Sequence, residues 1–122
     1  MDPKIAKTIE TLIKGTERRT LNWERAQERR AEFRLNLKHG WITVGKWNWT
    51  DQEEGSQGQS VDITFANPQG ETIDTFTYNT QDSPADYTFL VRLHDAARRN
   101  ALKVDESLSD ILGELENRVK EG

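Results

Sequence analysis

The chain has 122 residues, a formal net charge of −4, 34% hydrophobic residues and no cysteine, a length that corresponds to one domain. Without cysteine, disulfides, thiolate metal sites and thiol catalysis are excluded together. No run approaches the roughly 18 apolar residues of a membrane span, and Met1-Asp2-Pro3-Lys4 lacks the apolar stretch of a signal peptide, so a soluble, cytoplasmic protein is expected.

Leu, Ile, Val and Phe make up about 21% of the chain, just above the level at which disorder becomes the better expectation. Four tryptophans tip the balance toward folding, because each can bury roughly 150–250 Å². The charge is polarised along the chain. From Glu17 to Lys38, seven basic residues stand against four glutamates, whereas residues 105–122 hold six acids and two bases. Such polarity suits head-to-tail pairing of two copies or docking to a charged partner, and solvated faces of small elements are the simpler account of it.

Ile5, Ile9, Leu12 and Ile13 share one helical face, with Asp2 and Pro3 as a start and Gly15 as a stop. Residues 16–30 are highly charged, and Leu21 and Trp23 alone offer large apolar side chains. This stretch is expected to cross the core with those two tucked in, turning partly helical between Glu24 and Arg30.

Phe33, Leu35 and Leu37 then alternate with polar residues as a first strand, and His39-Gly40 is the expected hairpin turn. A second strand spans Trp41 to Trp49. Ile42 and Val44 fall on one face and Trp41, Trp47 and Trp49 on the other, so either the helices cover one face and leave tryptophans on the other, or Gly45 marks a bulge. Residues 51–60 contain no apolar side chain and are expected to form a flexible loop. Val61, Ile63 and Phe65 make a third strand, and Asn67-Pro68-Gln69-Gly70 makes a turn. In the fourth strand, Glu71 to Tyr78, Ile73 is out of phase with Phe76 and Tyr78, which predicts a bulge or an exposed residue.

Ser83-Pro84-Ala85-Asp86 starts a helix whose face is Leu90, Leu93, Ala97 and Ala101. Asp105 is expected to cap a further helix carrying Leu108, Ile111, Leu112, Leu115 and Val119, either bent from the previous one or separate near Lys103-Val104. The expectation is a single α+β domain over residues 1–122: a four-stranded antiparallel meander with an N-terminal helix and one or two C-terminal helices packed on one face.

Trp23-Glu24-Arg25, Ile42-Thr43-Val44, the hairpin from Phe65 to Glu71 and the segment from Leu93 to Asp105 together resemble small bacterial domains with a Trp-Glu-Arg segment and a C-terminal Ala-Arg-Arg helix. The resemblance covers about residues 20–115. It implies an α+β fold and a bacterial or phage setting, and brings no established activity and no catalytic residues with it.

No histidine pair stands at metal-ligand spacing, and Gly55 and Gly58 lack the Lys-Ser/Thr of a phosphate loop. His94 beside Asp95 is the one acid/base pair worth testing. Neither a catalytic residue nor a cofactor is therefore assigned. The sharper chemistry is binding. Trp41, Trp47 and Trp49 are the expected partner-binding anchors, with Arg98 and Arg99 as secondary contacts, in a protein-interaction module of the accessory, inhibitor or immunity type. Filling gaps in the core is the competing role for the tryptophans. The alternative partner is single-stranded nucleic acid or a nucleotide held by the same aromatics with Arg29, Arg30 and Arg34, although the net charge disfavours it. A homodimer is compatible with the charge polarity, and no membrane partner is expected.

Overall fold

Asp2 accepts hydrogen bonds from the backbone N–H groups of Lys4 and Ile5. With Pro3 in the first turn, it starts α1, Pro3–Glu17. The helix runs past Gly15 and ends instead at Arg18, followed by Arg19 at φ 63°. Gly15 serves the returning chain rather than the helix end, because a Cβ there would come within 2.7 Å of the Leu21 side chain.

The structure, a computed structural model, describes residues 1–26 and 31–121. After α1 come five strands, β1 (Trp23–Arg25), β2 (Glu32–Leu37), β3 (Gly40–Thr50), β4 (Gln57–Ala66) and β5 (Thr72–Asn79), then α2 (Pro84–Ala101) and α3 (Val104–Glu121). The strands form one antiparallel sheet in sequential order. The sheet thus has five strands where four were expected. β1 escaped the periodicity because it is three residues long, two of them charged, and gains its strand character by pairing with β2. That pairing also replaces the helical turn expected from Glu24; the rest of that expectation falls on residues 27–30, outside the described residues.

Alternation in β2, β3 and β4 places Phe33, Leu35, Ile42, Val44, Val61 and Ile63 on one face. There they are buried with Ile9, Leu12 and Ile13 of α1 and Leu90, Leu93 and Ala97 of α2. Trp23 joins this core at 5% exposure. Its indole Nε1 donates to Thr16 Oγ1 at 2.8 Å and its backbone N–H to Asn100 Oδ1 at 2.7 Å, tying the edge strand to both helices.

Several turns and ends shift from the sequence expectation. Leu37 pairs with Gly40, so the hairpin loop is Lys38-His39 rather than His39-Gly40. Gly40 (φ 146°) is required by close approach, since a Cβ there would overlap the Ala66 carbonyl. β3 keeps unbroken register through Gly45, which excludes a bulge at that position. The irregularity lies in β5: Phe65 pairs with Asp74 and Ala66 with Thr72, leaving Ile73 without a ladder partner and 66% exposed, as its phase predicted. β4 begins at Gln57, so the expected loop 51–60 contracts to 51–56; Gln57–Ser60 need no apolar side chains to complete a ladder with β3. The Asn67–Gly70 turn forms as expected, closed by the Gly70 N–H on the Asn67 carbonyl with φ 87° at Gly70.

Ser83 occupies the N-cap of α2, but its Oγ accepts from the Asn79 N–H and makes no cap bond. The break between the two C-terminal helices falls at Leu102-Lys103, with Lys103 at φ 51°. Asp105 lies inside the first turn of α3 and caps nothing; it receives Arg99 at 2.8 Å and Arg19 at 3.5 Å. Among the described residues, α2 is the helix that lies on the sheet, touching all five strands, and α1 packs on α2 and adds Ile9, Leu12 and Ile13 to the same core. α3 contacts α2 and no other element, and buries none of its residues, because the apolar sheet face is already occupied. No helix among the described residues is long and apolar enough to cross a membrane.

Candidate functional site

Among the described residues, no helix lies on the sheet face opposite α2. β3 contributes Trp41, Thr43, Gly45, Trp47 and Trp49 to it, paired across to Ala66, Thr64, Asp62, Ser60 and Gly58 of β4. From β5 come Thr75, whose hydroxyl meets Thr64 at 3.2 Å, and Thr77. Of the two apolar faces legible on β3, the one with Ile42 and Val44 is covered because its apolar surface continues into the neighbouring strands. The tryptophan face is flanked by Thr, Ser and Asp instead, so burying it would strand polar groups.

The three indoles are held in different ways. Trp49 occupies the space that a side chain at Gly58 would fill, and a Cβ at Gly58 would collide with its Cζ2 and Cε2 atoms. Trp41 leans toward Gly70, where a Cβ would stand 3.2 Å from Cη2, and the guanidinium of Arg34 sits 4.1 Å from the centre of its ring. Trp47, opposite the buried Ser60, is 39% exposed. Trp41 and Trp49 are half-buried. Glycines on adjacent segments thus lay down the outer two rings, and Trp47 stands between them as the most accessible.

Arg34 is positioned further by its Nε donating to Asn36 Oδ1 at 2.9 Å, while Asn36 Nδ2 donates to Glu24 Oε1 at 2.8 Å. Glu24, Glu32, Arg34, Trp41 and Thr43 border a shallow cleft of about 490 Å³. Of the arginines expected for nucleic acid, Arg34 therefore lies at the tryptophan row, and Arg29 and Arg30 fall outside the described residues. Arg98 and Arg99 do not join it. They belong to α2, on the other side of the sheet, where Arg98 pairs with Asp95 at 3.1 Å and Arg99 with Asp105 at 2.8 Å.

The His94–Asp95 pair is not assembled. His94 is buried, with Nε2 at 2.8 Å from the Ala31 carbonyl and its ring edge-on to Phe33, whereas Asp95 is exposed. Burial pushes the imidazole pKa below its ordinary value, which favours the neutral form donating to Ala31. Among the described residues, no group of three or more His, Asp or Glu side chains is placed to hold a metal ion.

A second uncovered surface was not anticipated. Leu108, Ile111, Leu112, Leu115 and Val119 of α3 are 52–77% exposed. The signal was present in the spacing. Residues 108, 112, 115 and 119 form the narrow stripe of a helix–helix seam, whereas a sheet-covering helix needs a broader face like that of α2.

No family model matches the chain, and no curated protein or solved structure matches it.

Proposed function

We propose that this protein is a non-catalytic protein-interaction module of the accessory or inhibitor type, which holds a protein partner against its uncovered sheet face. The observation that carries the reading is the row Trp41, Trp47 and Trp49 on a face without any covering element among the described residues. Indoles already held by Gly58, Gly70 and Arg34 lose little freedom on binding, and tryptophan and arginine are the residues most enriched in binding hot spots. Trp47 is the central anchor, with Trp41 and Thr43 on one side and Trp49 on the other.

Among the described residues, Arg34 on Trp41 is the contact that supports the nucleic-acid alternative. The net charge of −4 opposes phosphates, so a protein surface is the better fit.

The test is retention from a nuclease-treated lysate of the source cell at low and high salt, by the wild type and by the double variant Trp47→Ala/Trp49→Ala. A stoichiometric protein held by the wild type and lost by a variant that still unfolds cooperatively supports the reading. Equal retention by both, recovery of salt-sensitive nucleic acid alone, or loss of the variant's unfolding transition counts against it.

A further inference from the structure

We propose that the apolar stripe of α3 is covered by α3 of a second copy of this chain, packed antiparallel, so that the protein is a two-fold symmetric dimer joined through its C-terminal helices. The inference is independent of the tryptophan face, which α3 does not contact.

The stripe is self-complementary. Leu108, Leu112, Leu115 and Val119 follow one another at intervals of four, three and four residues, a pattern that reads the same in both directions. A two-fold axis passing between residues 113 and 114 therefore sets Leu112 of one copy against Leu115 of the other, and Leu108 against Val119. This is the isologous geometry of a symmetric pair. Ile111 flanks the seam, on the side where the aliphatic stem of the other copy's Arg118 passes. Gly113 lies away from the seam, where it costs the pairing no contact.

Charge selects the direction. Acids outnumber bases along α3 by six to two: Asp105, Glu106 and Asp110 make its first half the more acidic, while Arg118 and Lys120 in the last turn offset two of Glu114, Glu116 and Glu121. Antiparallel packing sets the more acidic start of each helix beside the nearly balanced end of the other and opposes the helix dipoles, whereas parallel packing would set the two acidic starts together.

The junction presents the stripe rather than hiding it. Lys103 in the left-handed region breaks α2 from α3, and Asp105, held by Arg99 at 2.8 Å and Arg19 at 3.5 Å, sets the direction in which α3 leaves. An 18-residue helix with an internal glycine and no buried residue is marginal in water by itself, and a partner along its seam supplies the missing stabilisation. With its five side chains 52–77% exposed, the stripe amounts to roughly 500 Å² of apolar surface per copy, so pairing buries at most about 1,000 Å², the level at which specific interfaces begin.

Sedimentation equilibrium of the full chain from ~1 μM to ~1 mM tests the dimer. The expected result is a mass rising toward twice 14.1 kDa, with far-UV helix signal rising in parallel. Leu112→Asp/Leu115→Asp is expected to remain monomeric while the body keeps its cooperative melt, because no α3 side chain is buried in it. Orientation is read by mixing two single-cysteine variants, Ser109→Cys and Glu116→Cys, in a chain that otherwise has no cysteine. Antiparallel packing predicts the mixed disulfide under mild oxidation. A monomer at all concentrations, a dimer undiminished by the Asp variant, or a dimer that forms no mixed disulfide would overturn the proposal.

Discussion

Trp49 takes the space that a side chain at residue 58 would need, with Gly58 directly across the β3–β4 ladder from it. The ring is therefore held by an absence of side chain on the opposite strand. Gly58→Val should lift the indole from the sheet without disturbing the covered core. The expected outcome is a red-shifted tryptophan emission and about a tenfold loss of partner affinity, with a change in stability below about 1.5 kcal/mol. An unchanged emission maximum would show that the ring does not depend on Gly58.

The two kinds of tryptophan in this chain should separate under mutation. Trp47 is 39% exposed, and Trp47→Ala is expected to cost less than about 1 kcal/mol of folding stability while weakening partner binding by about 2 kcal/mol or more. Trp23 is buried and donates to Thr16, so Trp23→Ala should destabilise the fold by about 3–5 kcal/mol. Urea unfolding of the two variants decides the matter, and similar losses would place Trp47 in the core.

Buried His94 makes stability depend on pH in a defined sense. Desolvation holds its folded pKa below the ordinary value of about 6.5, with Lys46 and Arg98 adding to the depression and the Ala31 carbonyl and Asp95 opposing it. The stabilisation is thus fully present above about pH 6.5 and declines as pH falls from there through the lower folded value, because the unfolded chain takes the proton more readily. Melting temperatures recorded from about pH 8 down to about pH 5 should fall more steeply for the wild type than for His94→Gln. Parallel curves would remove His94 from the linkage.

Arg19 sits at φ 63° just beyond the end of α1, a position that glycine occupies at little cost. Arg19→Gly is expected to raise stability by up to about 1 kcal/mol, the relief of left-handed strain exceeding the loss of an exposed ion pair with Asp105. Differential scanning calorimetry checks this, and a lower melting temperature would mean that the Asp105 contact matters more than the backbone.

What the sequence determined by itself is what a few neighbouring residues decide. Asp2-Pro3 opens α1 and Asn67–Gly70 turns because caps and turns close their hydrogen bonds within four residues. The alternation of Phe33, Leu35, Ile42, Val44, Val61 and Ile63 likewise marks strands and their shared face, and the phase of Ile73 marks its bulge. Only the tertiary structure made Glu24 part of a strand, since three residues become one by pairing with β2. Gly15 and Gly40 looked like local punctuation, yet they answer to Leu21 and Ala66, which the fold brings close. The same holds for the two candidate surfaces. On paper, both faces of β3 and the stripe of α3 compete for cover. α2, with α1 packed on it, settles on the face whose apolar area continues across neighbouring strands, and the tryptophans and α3 remain outside. Burial favours contiguous apolar area, and contiguity between strands exists only once they are paired.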